Sequence, residues 1–195
     1  MEIQTIYGQL PVIETDRLIL RKISMHDLKD MYEYTSNETV SKYVAWHPHK
    51  SIGDTRTYIH YVLQQYHQKK VAPWGVQFKE NDKLIGTIDF VSWDLLHRTA
   101  EIGYAISHLY WGNGLTTEAT EALIKFGFTK MDLVRIQARC ISENIASQRV
   151  MEKAGMVYEG TIRKGMLIKG IHRDIKIYSI LQEEYETLYK QDIHT

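Results

Sequence analysis

Trp111–Ala119 reads WGNGLTTEA, and its position between a strand-like and a helix-like segment decides the fold. Upstream, Glu101, Gly103, Ala105 and Ser107 alternate with Ile102, Tyr104 and Ile106, the period of two that a strand requires. Downstream, Leu115, Ala119, Ala122, Leu123 and Phe126 fall on one stripe, which predicts a helix over Leu115–Lys130. Val134, Ile136, Ala138 and Cys140 then alternate with Arg135, Gln137 and Arg139 up to Ile141. Strand, helix, strand implies a crossover. Two glycines at the junction let the backbone approach a ligand closely, and the helix start offers unpaired N–H groups at the positive end of its dipole. Those are the makings of an anion site, although Gly-x-Gly at a helix start serves a plain tight turn equally well. The dinucleotide reading fails, because GxGxxG needs a third glycine where Thr117 stands.

Working outward, Arg17–Ile23 (RLILRKI) has the branched, apolar content of a strand, and Ser24 can cap a helix running to about Asn37. Ile59, Val62, Leu63 and Tyr66 predict a second helix over Asp54–His67. From Trp74 the period becomes two: Trp74–Lys79, a turn at Glu80-Asn81-Asp82, Leu84–Trp93 and Thr99–Ser107 form an antiparallel meander. Asn144 can cap a short helix stopped by Gly155, and Met156–Lys169 with Ile171–Leu181 make a hairpin around Gly170. The class is α+β with a mixed sheet. One domain spans 1–195, with an N-terminal arm at 1–16 and a polar C-terminal tail at 182–195.

The composition is that of a soluble globular chain: 195 residues, 44% hydrophobic and 25% charged, with 24 basic and 24 acidic residues. Zero formal charge argues against nucleic acid as a partner, which needs a basic excess. A single Cys excludes internal disulfides. No apolar run of about 18 residues and no secretory leader pattern appears, so the expected location is the cytoplasm and no membrane is expected as partner. Of the histidines, His60 and His67 are seven apart rather than four, no Cys joins them, and Pro48 between His47 and His49 marks a turn. No metal is expected.

Several motifs occur in order along nearly the whole chain: TDRLILRKI, GTIDF, AEIGYAI, WGNGLTTEA, NIASQRVMEKAGM and EGTIRK. Together they resemble the GNAT superfamily of acetyl-CoA-dependent N-acetyltransferases, and within it the RimJ/RimL-like group that acetylates ribosomal-protein N-termini. The resemblance implies a mostly antiparallel sheet of about seven strands, flanked by helices and splayed between the fourth and fifth. The family loop is usually Arg/Gln-x-x-Gly-x-Gly/Ala, and Thr116 departs where Gly or Ala is usual. By resemblance, Gly112, Asn113, Gly114, Leu115, Thr116 and Thr117 surround the pyrophosphate of acetyl-CoA, the co-substrate. Tyr104, Ala105 and Ile106 lie along its pantetheine arm, and Asn144 borders it. The implied reaction is direct transfer of acetyl to a primary amine, with a protein or peptide α-amino group as acceptor. A small amine such as a polyamine, amino acid or antibiotic is the alternative acceptor. A catalytically silent CoA-binding module and a ligand-free dimerising domain are the alternative classes, and oligomeric state, a homodimer included, is open.

Two side chains are the candidate catalysts. Glu101 shares its strand face with small residues, which leaves room for an amine or a water, and in this family it reads as the general base, direct or through water. Its bland reading is a solvent-facing carboxylate or an ion pair with Arg98; Asp89 and Asp94 are weaker candidates for the base. Ser147 shares a stripe with Val150, Met151 and Ala154, and the group places such a Ser near the leaving sulfur as proton donor. A back-bond to a helix carbonyl is its bland reading, as a plain N-cap is for Asn144. Many GNAT enzymes use a Tyr where this chain has Met151, so a tyrosine acid at that position has no support. Trp46, Tyr58, Tyr61 and Tyr66 are core or rim residues on their bland reading, and by resemblance they fall in the region that lines the family's acceptor groove.

Overall fold

The computed structural model describes residues 3–190. Strands form where the apolar period is two. In chain order they are β1 (Ile13–Glu14), β2 (Leu18–Arg21), β3 (Trp74–Phe78), β4 (Leu84–Asp94), β5 (Thr99–Ile106), β6 (Arg135–Ile141), β7 (Val157–Ile168) and β8 (Ile171–Leu181). They make one eight-stranded sheet of order β1-β2-β3-β4-β5-β6-β8-β7. The two-residue β1, inside the expected arm, accounts for the eighth strand. Every neighbouring pair is antiparallel except β5–β6, whose parallel register runs from Thr99↔Arg135 to Ile102↔Ala138 and stops there.

The helices are α1 (Ile3–Tyr7), α2 (Leu28–Thr35), α3 (Glu38–Ser41), α4 (Ile52–His67), α5 (Leu115–Lys130), α6 (Ile145–Lys153) and α7 (Gln182–Lys190). α5 is the crossover between β5 and β6. Leu115, Ala119, Leu123, Ile124 and Phe128 on its inner stripe are buried with Ile88, Phe90, Ile102 and Ile136 in one core. Each Leu, Ile or Phe among them contributes roughly 1.5–3 kcal/mol by burial. On the opposite sheet face α2 and α4 pack together, with the Thr35 and Thr55 hydroxyls 3.3 Å apart between them.

The stretch read as one helix from Ser24 to Asn37 is broken. Ser24 and Asp27 form a capping box around a 3-10 turn, and Asp27 also takes a bidentate bond from Arg21, so α2 starts only at Leu28. Asn37 then takes extended geometry and its side chain accepts from the Thr39 and Val40 N–H groups, starting α3. α4 begins two residues before Asp54 because Ser51 and Asp54 make a second capping box. Residues 182–190, read as polar tail, are helical: Glu184 accepts the Leu181 N–H at 2.8 Å, and the Tyr185 ring packs 5.2 Å from Phe128. The rest of that tail lies outside the described residues. At the β7–β8 turn Lys169 (φ 50°) and Gly170 (φ 78°) both have positive φ, as a two-residue hairpin requires.

Candidate active site

Beyond β5 the chain makes a 3-10 turn at His108–Tyr110 and reaches the glycine loop. The Trp111 indole N–H donates to the Ile106 carbonyl at 2.8 Å, folding the loop back over the strand end. Gly112 and Gly114 adopt φ +80° and +76°, where a Cβ costs roughly 1–2 kcal/mol. Gly114 is the N-cap of α5 and contributes no side-chain bond. The first intrahelical bond runs from Glu118 N–H to Gly114 C=O, so the N–H groups of Leu115, Thr116 and Thr117 have no helical acceptor. Gly112, Asn113 and Gly114 are exposed, and the three free donors follow them at the positive end of the helix dipole.

A network that the sequence reading missed holds this loop. Arg17 donates to the Asn113 carbonyl at 2.9 Å and pairs with Glu118 through Nε (2.7 Å) and Nη2 (2.6 Å). Glu118 also accepts from Thr15 Oγ1 (2.6 Å) and the Arg17 main-chain N–H (2.9 Å). Burial opposes ionisation of Glu118, but these bonds outweigh it and hold the carboxyl below its ordinary range. Its charge, next to the helix start, is therefore matched by Arg17. A clue lay in the TDR run, but the pairing spans about a hundred residues and has no local signal.

Past Ile102 the strands β5 and β6 diverge. The Ser107 N–H bonds the Ile85 carbonyl at 2.7 Å, and the antiparallel ladder alternates from there. Ala105 and Gly103 thus turn their main chain to β4, and Tyr104 and Ile106 turn theirs to the gap, where Trp111 already occupies the Ile106 carbonyl. On the helix-α5 side of the sheet, the Tyr104 hydroxyl lies 2.8 Å from Ser147 Oγ. Asn144 caps α6 and accepts the Ser147 N–H at 3.2 Å. Burial raises the Tyr104 phenol above its usual value, with Ser147 working against it. Burial likewise pushes the neighbouring Cys140 thiol up to about 11, against Lys176 and Ser147. Met151 is fully buried in the core.

The three carboxylates meet different environments. Glu101 is buried and both its oxygens are engaged: Arg139 Nε donates to Oε1 at 2.8 Å and Gln137 Nε2 to Oε2 at 3.0 Å. Its ion-pair partner is Arg139, since Arg98 pairs with Asp132. Asp94 is exposed and accepts the His97 N–H at 2.9 Å. Asp89 faces Gly103 across the β4–β5 ladder, is half-buried, and has no hydrogen bond or ion pair among the described residues. Burial pushes its carboxyl up to about 7.

Of the aromatic candidates, Trp46 and Tyr58 flank His49, with ring centroids 6.0 and 6.3 Å away. Burial raises the Tyr58 phenol, and the Asp89 charge raises it further, so α4 holds this ring over the Asp89 side of the sheet. Tyr61 is exposed, while Tyr66 is a core residue that accepts from the Ile23 N–H at 3.1 Å and donates to the Pro73 carbonyl. Burial lowers the His49 pKa, and its Nδ1 lies 2.8 Å from Thr55 Oγ1. Among the described residues no three His, Cys, Asp or Glu side chains group closely enough to hold a metal ion, and no helix is long and apolar enough to cross a membrane.

A parallel strand pair thus parts beside an uncapped, glycine-led helix start, which sets an anion cradle next to a gap in the sheet. Residues 17–157 match the acetyltransferase (GNAT) domain family, and the chain belongs to it. The chain is 36% identical over 172 residues to the uncharacterized N-acetyltransferase YoaA of Bacillus subtilis (strain 168), covering 88% of this chain and 97% of that one. It is 32% identical over 113 residues to the ribosomal-protein-serine acetyltransferase of Escherichia coli (strain K12), covering 58% of this chain and 63% of the other. A GNAT-family acetyltransferase structure from Bacillus anthracis superposes with TM-score 0.79 at 34% identity, covering 89% of this chain and 99% of that one.

Proposed function

We propose that the protein transfers acetyl from acetyl-CoA to the N-terminal α-amino group of a protein or peptide in the cytoplasm. The observation that carries this reading is the cradle at α5, with two positive-φ glycines, no side-chain cap and three N–H donors without acceptors. A Cβ at Gly112 would meet nothing within 4 Å, so the loop leaves open space for a ligand. Gly112 to Thr117 hold the pyrophosphate there through main-chain N–H groups. Thr116 and Thr117 contribute two of those donors, so the β-branched side chain at 116 does not remove the site's chemistry. Acetyl-CoA supplies an acetyl group on a thioester, already activated toward amines.

The chain's own residues orient and protonate. The Tyr104 and Ile106 N–H groups, turned to the gap, donate along the pantetheine arm, and Ala105 keeps the strand tied to Thr87 of β4. Asn144 borders the same gap from α6. Ser147, backed by the Tyr104 hydroxyl, is placed to give a proton to a departing sulfur. Glu101, with Arg139 and Gln137, ties β5 to β6 just before they part. An α-amino acceptor fits because, with a reference pKa of ~8 against ~10.4 for Lys, far more of it is neutral at pH 7. The named activity of the Escherichia coli relative supports a protein as acceptor, and Trp46 and Tyr58 supply apolar walls for the first residues of a chain.

Mass spectrometry of a peptide panel incubated with enzyme and acetyl-CoA tests the reading. Acetylation at peptide N-termini is expected. Acetylation confined to Lys side chains, polyamines or antibiotics would overturn the α-amino claim.

A further inference from the structure

An amine can attack only after losing a proton, and most α-amino groups carry one at neutral pH. Of the three strand carboxylates, Glu101 has both oxygens committed to Arg139 and Gln137, and Asp94 is exposed at the far end of β4, where it accepts the His97 N–H. Asp89 alone of the three has both oxygens unengaged among the described residues. It sits between Thr87, which the Tyr34 hydroxyl of α2 bonds, and Val91, which is 51% exposed, so it lies where the α2–α4 layer ends and solvent begins. Its cross-strand partner Gly103 is the first residue of β5 beyond the parallel pairing, and a Cβ built there would stand 3.5 Å from Asp89 Oδ1. The same Cβ would meet Val91 Cγ1 at 2.7 Å, so only a glycine fits here, and it sets the Asp89 carboxylate against bare β5 backbone where the parallel pairing ends.

We propose that Asp89 is the general base that takes the proton from the acceptor amine. The assignment rests on the acetyl-transfer reading above. The ammonium nitrogen gives one proton to the Asp89 carboxylate. The neutral nitrogen then forms the C–N bond to the acetyl carbon, the C–S bond breaks, and the second amine proton passes by way of Ser147 to the departing sulfur, which leaves as the thiol. Asp89 returns its proton to solvent. The titratable groups whose fields reach Asp89 are Tyr7 of α1 and Tyr58 of α4, both held neutral by burial, and Glu101 lies two residues from Gly103 on the same face of β5, paired with Arg139. Among the described residues no cation pairs with Asp89 to keep it ionised at low pH, and burial pushes its carboxyl up to about 7, where a base is matched to neutral solution.

Two measurements decide the assignment. Carbon-13 NMR titration of the Asp89 side-chain carboxyl in the CoA-free protein, assigned with Asp89→Asn, should show a midpoint near 7; a midpoint near 4 would overturn the proposal. The pH profile of kcat/KM with an acceptor peptide should rise through a break near 7. Asp89→Asn should lower kcat/KM by about 100-fold or more and lose that break, leaving only the amine's own titration near ~8, with CoA affinity by calorimetry unchanged. Glu101→Gln should keep the break. Asp89→Asn that keeps the break and most of the rate overturns the base assignment while leaving the acetyltransferase reading intact. A wild type that neither binds CoA nor transfers acetyl overturns that reading and the base with it.

Discussion

At Asp89 the chain keeps a half-buried carboxylate with no hydrogen bond or ion pair among the described residues, and this costs stability wherever the group is ionised. The folded value of about 7 lies above the ordinary 3.8, so the folded state binds the proton more tightly. Stability therefore falls as pH rises from about 4 to 7 and levels off above. Asp89→Asn should raise Tm at pH 8, with the gain shrinking toward zero as pH falls to 4. Thermal unfolding of both proteins across that range checks the sign, and a gain that does not change with pH would contradict it. Ser147 should matter less. Ser147→Ala is expected to lower kcat by tenfold or less, because a thiol of pKa ~8.5 leaves readily and solvent can supply its proton. Single-turnover rates at saturating acetyl-CoA would show it, and a loss of a hundredfold would make the Ser147–Tyr104 pair indispensable.

The glycine loop works as part of an element, α5 together with the strand segment that braces it. Arg17 bonds the Asn113 carbonyl and the Glu118 carboxylate at once, so Arg17→Ala should loosen the loop and leave Glu118 charged beside the helix start. Loss of charge-assisted bonds worth roughly 1.5 kcal/mol predicts about a tenfold weaker CoA affinity, with kcat at saturation little changed. Calorimetry against steady-state kinetics separates the two, and an unchanged affinity would show that the brace is idle. Elements with strong periodicity were legible without coordinates: the span of α5 and the hairpin around Gly170 follow from apolar spacing and a glycine. The end of α2 near Asn37 was legible, but the 3-10 turn at its start and the one-turn α3 were not, because each depends on a cap contact that carries no apolar period. Nor was α7 legible, since its stability comes from Tyr185 packing on Phe128 rather than from its own sequence.

Across the whole molecule, the sheet brings together what the chain separates. The loop could be read locally, because glycines, helix start and alternating strand are contiguous between residues 101 and 130, whereas the splay of the sheet came only from the family resemblance. Tyr104 and Ser147 meet across 43 residues, and nothing in either segment announces the pair. The role of Glu101 was read from its small neighbours on the strand, yet Arg139 and Gln137, which occupy it, come from the far side of the crossover. The isolation of Asp89 is invisible in sequence, since a missing partner is a property of the folded surroundings. The account is most exposed at the cradle at α5, since every other assignment depends on the coenzyme binding there. Isothermal titration of the wild type with CoA, beside Gly112→Asp, tests it most directly. The account predicts one binding site per chain in the wild type and severe weakening in the variant, whose carboxylate adds bulk and like charge against the pyrophosphate. A wild type showing neither heat nor thermal shift at millimolar CoA would contradict it.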